Sequence, residues 1–183
     1  MKLELAGKKI KIRKHKLSDA NDIYKNIKDK EITKWTCSIP YPYPRNEAVR
    51  FIRRAHHGIK NRKSYDFAIT LLDTGKIVGG ISFRKIDWEN KNAEIGYWIG
   101  KKYWGRGLAT EAVKLALKFS FENLKLHRIW AYVFEENIFS IKILKKCKFK
   151  LEGKTIKSSF RYARWHNDFM YAILKSDFVK HYR

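Results

Sequence analysis

The 183 residues, 44% hydrophobic and 15% aromatic, supply enough apolar surface for one core, and the length fits a single domain over residues 1–183. The absence of low-complexity tracts argues against disorder, and no apolar run nears the roughly 18 residues of a membrane span or forms a signal-peptide core, so a cytoplasmic protein with no membrane partner is expected. Lys and Arg number 41 against 18 Asp and Glu, a formal charge of +23 at pH 7, which favours an anionic ligand or partner, although basic residues dispersed along a chain also arise from solvation alone.

In chain order, Lys9 to Lys14 alternates basic residues with Ile and predicts a half-buried strand, and Ser18-Asp19 then offers an N-cap for a helix from Ala20 to Lys28. Prolines 40, 42 and 44, interleaved with Tyr41 and Tyr43, forbid regular helix from Ile39 to Pro44 and predict a stiff aromatic loop. Asn46 is positioned to cap a helix that runs to about Asn61. Tyr65 to Leu72 and Lys76 to Lys85 predict a hairpin turning at Asp73-Thr74-Gly75, and a further turn at Asn90 to Asn92 leads into a third strand, Ala93 to Gly100. Leu108, Ala112, Leu115 and Phe119 follow helical spacing from Leu108 to Phe121, before a short strand from His127 to Phe134. Ile138 to Lys146 reads as helix, and Phe149 to Gly153 and Phe169 to Leu174 as strands. The sum is an α+β (mixed α/β) chain with a strand, loop, helix and strand at its centre. Cys37 and Cys147 are too few and too far apart for a disulfide framework or a paired metal site, and the six histidines have no ligand spacing, so no metal is expected.

The central loop, Tyr103-Trp104-Gly105-Arg106-Gly107-Leu108, runs straight into an amphipathic helix. Gly105 and Gly107 permit backbone angles that let successive N–H groups converge on an anion, and the helix N-terminus adds unpaired N–H groups and the positive end of its dipole. Together these suit a pyrophosphate. The P-loop ending in Gly-Lys-Ser/Thr and the dinucleotide glycine loop both fit worse. A tight turn whose glycines serve geometry alone stays open as the alternative.

Trp104-Gly105-Arg106-Gly107-Leu108-Ala109 resembles motif A of the GNAT acetyltransferases, Gln/Arg-x-x-Gly-x-Gly/Ala. A Trp in the first position, followed by Gly, a basic residue, Gly and then Ala109-Thr110-Glu111-Ala112, is similar to the RimJ/RimL branch. The resemblance continues in Ala93-Glu94-Ile95-Gly96-Tyr97-Trp98-Ile99, in Asn137-x-x-Ser140, and through Lys146-Cys147-Lys148-Phe149 to Glu152-Gly153, covering roughly residues 8 to 175.

It implies a GNAT fold, a central and mostly antiparallel sheet splayed at its middle with helices on both faces. It also implies direct transfer of an acetyl group from acetyl-CoA to a primary amine. The strand matching Ala93 to Gly100 would splay from that matching His127 to Phe134 and admit the pantetheine arm. The backbone of Ile99 would face the thioester carbonyl, where an N–H stabilises developing oxyanion charge, and Trp104, Gly105, Arg106, Gly107, Leu108 and Ala109 would hold the pyrophosphate. Asn137 aligns with an asparagine that contacts the cofactor arm, and capping the helix from Ile138 is the other role it could fill. The superfamily's general-acid tyrosine is replaced by Leu144, so that role does not carry over. Ser140, on the same helical face as Asn137, is the substitute candidate for protonating the leaving thiolate, or a small residue admitting close packing. Glu94 aligns with a carboxylate that serves as general base. An apolar strand would desolvate it and make it a better proton acceptor, whereas strand alternation could turn it to solvent. Glu111 is explained by the helix dipole and is given no catalytic role. Lys148 stands where the family has Gly, and a left-handed turn there costs about 1 kcal/mol.

Trp35, Tyr41 and Tyr43 would line the acceptor groove, with ordinary core packing the alternative, more so for Trp35. A basic enzyme suits the N-terminal amine of a ribosomal protein, because rRNA attracts it and gives weak electrostatic association with the ribosome. A polyamine or aminoglycoside suits it less, unless acidic residues line the pocket. A non-catalytic nucleic-acid module would account for the charge but not the loop. Another alternative is a cofactor-binding regulator on a degenerate GNAT scaffold. Monomer and homodimer are both compatible.

Overall fold

The computed structural model describes residues 3–182. Strand β1 (Glu4–Ala6) turns back on β2 (Ile10–Lys14), whose Ile10 and Ile12 point into the core while Lys11 between them faces the other way. Two short helices, α1 (Ala20–Ile27) and α2 (Lys30–Thr33), lead through the proline loop to α3 (Glu47–Lys60). Strands β3 (Tyr65–Leu71), β4 (Ile77–Asp87) and β5 (Asn92–Ile99) form the predicted meander. Then come α4 (Leu108–Glu122), β6 (Arg128–Phe134), α5 (Ile138–Lys146), the hairpin β7 (Lys150–Arg161) and β8 (Arg164–Leu174), and α6 (Lys175–Tyr182).

All eight strands share one sheet, in the order β1-β2-β3-β4-β5-β6-β8-β7. Every neighbouring pair is antiparallel except β5 and β6, which run parallel. Helix α4 packs on one face, where Phe119 meets Phe67 edge to face at 5.0 Å between ring centroids. On the other face Ile23 of α1 and Ile52 of α3 pack over Ala68 and Ile77. The expected mostly antiparallel sheet is therefore present, with helices on both faces. Among the described residues no helix is long and apolar enough to cross a membrane.

Several local expectations need correcting. Asp19 does not cap α1 with its side chain. It accepts two hydrogen bonds from Arg13, at 2.7 and 2.9 Å, and one from the Lys16 N–H at 2.6 Å, because a buried carboxylate is stabilised most by a cation. Asn46 likewise precedes α3 without a side-chain cap. Lys148 does adopt the left-handed conformation expected of it, φ 67°.

The largest departure is the length of β7 and β8, far beyond the predicted Phe149–Gly153 and Phe169–Leu174. Their two-residue turn places Tyr162 and Ala163 at φ 51° and 59°. Such a turn normally signals itself by Asn or Gly, so nothing local announced it. Tertiary contacts hold it instead: the Tyr162 hydroxyl lies 2.7 Å from Thr33 Oγ1, and the Arg161 guanidinium donates to the carbonyls of Thr33 at 3.1 Å and Ile39 at 2.6 Å.

Candidate active site

Strands β5 and β6 pair only through Asn92–Glu94 against Arg128–Trp130. Beyond that point β5 stays with β4 while β6 follows β8, so the two diverge. The Gly100 N–H donates to the Val78 carbonyl at 2.8 Å. In an antiparallel ladder alternate residues turn their hydrogen-bonding groups outward, so the N–H and C=O groups of Tyr97 and Ile99 face the gap, not β4. A cavity of about 1280 Å³ occupies this gap. Its walls include Ile99, Leu108 and Phe139 on the α4 and α5 side, and Trp35, Phe51 and Asp66 on the α1 and α3 side.

The glycine loop closes one end. Gly105 and Gly107 have φ of 75° and 78°, and a Cβ added to either would meet no atom within 4 Å. Conformation, not crowding, requires glycine here, and the space above the loop stays open. The first helical bond of α4 is Glu111 N–H to the Gly107 carbonyl at 3.1 Å. Among the described residues no protein acceptor takes the main-chain N–H groups of residues 105 to 110, leaving a cluster of donors at the positive end of the α4 dipole. This cradle fits a pyrophosphate, and the adjoining gap fits an extended thiol arm.

Neighbouring residues brace the loop. The Trp104 indole N–H donates to the Ile99 carbonyl at 2.7 Å, tying the loop to the end of β5. Lys9 Nζ reaches the Arg106 carbonyl at 3.3 Å. The Glu111 carboxylate accepts from the amides of Lys8 and, at 2.9 Å, Lys9, so it fastens α4 to the turn between β1 and β2 in addition to sitting well in the dipole.

Of the expected cofactor residues, Ile99, Trp104, Gly105, Gly107, Leu108, Ala109 and Asn137 all lie on the cavity wall. Arg106 does not; its guanidinium turns back over the Tyr103 ring at 5.7 Å. Asn137 is an N-cap, its side-chain oxygen accepting from the Ser140 N–H at 3.1 Å. Ser140 Oγ lies 2.7 Å from the Tyr97 hydroxyl, and burial, offset only in part by that hydrogen bond, pushes the Tyr97 phenol well above the ordinary tyrosine range. Tyr97 stood inside the quoted strand motif without an assigned role; its place one turn of the pleat from Ile99 was the available signal.

Glu94 also borders the cavity, but not as a bare carboxylate in an apolar strand. Its side chain is 25% exposed and pairs with Lys85 Nζ at 3.0 Å. The expected desolvation is thus replaced by a counter-ion from β4.

Of the residues expected to line an acceptor groove, Trp35 and Tyr43 lie on the cavity wall, and burial raises the Tyr43 phenol to about 12. Tyr41 is off the wall: it is exposed and packs against Tyr162 at 5.9 Å between ring centroids, drawn outward by the hairpin tip. Four acids on the wall were not anticipated: Glu31 and Glu47, which pair with Lys34 and with Arg50 and Arg54, and Asp66 and Asp168. Asp66 is buried and accepts from Ser64 Oγ at 2.8 Å, and burial raises its carboxyl above the ordinary range. Asp168, 4% exposed, accepts from Ser158 Oγ at 2.5 Å and Ser159 Oγ at 2.6 Å. Among the described residues neither Asp66 nor Asp168 has a cationic partner within 4.0 Å. Asp66 inside the apolar strand run Tyr65-Asp66-Phe67 was a signal in the sequence, whereas Asp168, after His166 and Asn167, stands in no such run.

Residues 9–150 match the family model described as "Acetyltransferase (GNAT) domain". The chain is 32% identical over 175 residues to the uncharacterized N-acetyltransferase p20 of Bacillus licheniformis, covering 96% of this chain and 98% of that one. A putative ribosomal N-acetyltransferase, YdaF of Bacillus subtilis, is 33% identical over 107 residues (58% of each chain). The spermidine N(1)-acetyltransferase of Escherichia coli is 28% identical over 109 residues (60% and 59%). Among solved structures, the Microcin C7 self immunity acetyltransferase MccE in complex with acetyl-CoA and AMP superposes with a TM-score of 0.82 at 25% identity, covering 92% of this chain and 93% of that one. The cradle, the splayed strands and these likenesses converge: the chain belongs to the GNAT family and is an N-acetyltransferase that draws its acetyl group from acetyl-CoA.

Proposed function

We propose that the acceptor is a primary amine that enters from the α1 and α3 side and attacks directly, and that this amine is a protein N-terminus such as that of a ribosomal protein. The observation that carries direct transfer is the single cavity joining the glycine cradle to the acceptor walls across the splayed strands. Residues 104 to 109 would hold the pyrophosphate, and acetyl-CoA supplies the activated acyl group. The Tyr97 and Ile99 main-chain N–H groups are suited to stabilise negative charge on an acyl oxygen in the gap. Glu94 would accept the amine's proton, directly or through water, and Ser140 would return one to the departing sulfur. A ribosomal acceptor agrees with the formal charge of +23, since rRNA attracts such a surface.

A small polycationic amine is the second reading, favoured by Asp66 and Asp168. An ammonium group would supply the counter-charge that both buried carboxylates lack inside the protein. Mass spectrometry after incubation with labelled acetyl-CoA, ribosomal proteins and a panel of polyamines and aminoglycosides separates the two. Label on a protein N-terminus upholds the first. Label on a polyamine, lost in Asp66→Asn and Asp168→Asn, upholds the second, and no thiol release with any amine rejects both.

A further inference from the structure

We propose that Tyr97 is a positioning residue for the leaving-group end of the reaction, its O–H donating to Ser140 Oγ so that the hydrogen of Ser140 is directed into the gap between β5 and β6. The inference rests on the reading of Ser140 as the group that protonates the thiolate.

A phenol withdrawn from water must find an acceptor, because an unmet buried donor is costly. Tyr97 has two within reach, Ser140 Oγ at 2.7 Å and the Ser140 carbonyl at 3.4 Å. The shorter contact is within the ordinary range for O–H to O and the longer is weak. With Tyr97 as the donor its hydroxyl goes to Oγ, and one lone pair of the serine is occupied. A serine oxygen that accepts from one side keeps its own hydrogen free for another partner. Both side chains border the same cavity. Ser140 is also fixed through its backbone, because its N–H is held by Asn137 Oδ1 at 3.1 Å.

Burial keeps the Tyr97 phenol protonated far above neutral pH, so its O–H stays available to hold the serine oxygen. When Ser140 acts, its O–H bond breaks and an S–H bond forms on the departing thiolate. As Oγ gives up its hydrogen, the proton released by the amine reaches it through water of the open cavity, and the Tyr97 O–H holds the oxygen throughout, so no free alkoxide is left.

The test is the rate of thiol release in a single turnover, measured for Tyr97→Phe, Ser140→Ala and the double variant, with melting temperature as a check on folding. Tyr97→Phe keeps the ring and removes only the hydroxyl. We expect it to slow release about tenfold, the scale of one good hydrogen bond, without changing KM for acetyl-CoA. In the Ser140→Ala background it should have no further effect. A slowing that persists undiminished in that background, or a rate equal to wild type, overturns the proposal. If Ser140→Ala alone leaves the rate intact, the acid assignment of Ser140 fails and the role of Tyr97 falls with it. A slow Ser140→Ala beside a normal Tyr97→Phe overturns the positioning role alone.

Discussion

Glu94 is held by an exposed lysine, Lys85, and not sealed in apolar surroundings. The Lys85 ion pair limits where the carboxylate can swing, and its remaining exposure leaves it within reach of an amine or a water in the cavity. Glu94→Gln preserves shape and removes the acceptor. Turnover at pH 7 is expected to fall by about 10²-fold with coenzyme A affinity, read by calorimetry, nearly unchanged; full turnover would remove Glu94 from the chemistry. Gly107 presents the opposite case, a residue whose value lies in what it lacks. At φ 78° a β-branched side chain is strained, and in Gly107→Val it would project into the open space above the amides. Coenzyme A affinity should drop at least tenfold, about 1.4 kcal/mol, and retained affinity would reject the phosphate cradle.

Helix α4 meets the sheet through its apolar stripe and meets the loop through its N-terminus, so its placement governs the aim of the free N–H groups. Glu111 makes that placement firm by accepting from two amides of the turn between β1 and β2. A Cβ on Gly7 would strike the same carboxylate, which shows how closely the turn approaches. Hydrogen bonds to a charged group contribute about 1.5–3 kcal/mol. Glu111→Ala should lower unfolding free energy by about 2 kcal/mol in urea melts, while thiol release in the folded fraction continues. Loss of turnover in fully folded protein would instead give Glu111 a part in the reaction. The β7 and β8 hairpin plays the matching role at the other end of the cavity, where Arg161 and Tyr162 bind α2 and the loop after it. Its inner edge carries Asp168 and the two serines to the cavity wall.

At the scale of the molecule, stability should depend on pH through His15. It is 3% exposed, and neither ring nitrogen has a partner among the described residues. Desolvation lowers it from 6.5 to about 4, against the opposing pull of Asp19 and with smaller help from Arg13 and His56. Between those two values the unfolded chain binds a proton that the folded chain refuses, so stability falls as pH falls, by about 3 kcal/mol in all. Asp19 enters only lower. Burial alone would raise its carboxyl, but the Arg13 and Lys16 hydrogen bonds hold it below the ordinary 3.8, so its contribution is lost as pH drops through that value. Urea melts at pH 7 and pH 4 should therefore differ less for His15→Leu than for the wild type. An equal difference would show that His15 is not the group responsible.

The sequence by itself determined what local chemistry determines: the period of β2 to β5, the helix after Gly107, and a glycine pair whose backbone angles suit an anion. It also carried enough pattern to identify the family. Only the tertiary structure decided which alternation faced which neighbour. The Tyr97 to Ser140 hydrogen bond and the outward turn of Tyr41 each depend on a residue distant in the chain, and the Lys85 counter-ion of Glu94 depends on the register shift between β4 and β5. Asp66 and Asp168 lie more than 100 positions apart and border the same cavity because separate strands of one sheet deliver them there. Strand alternation assigns a side chain to one of two faces. What waits on that face is set by how the elements close around the sheet.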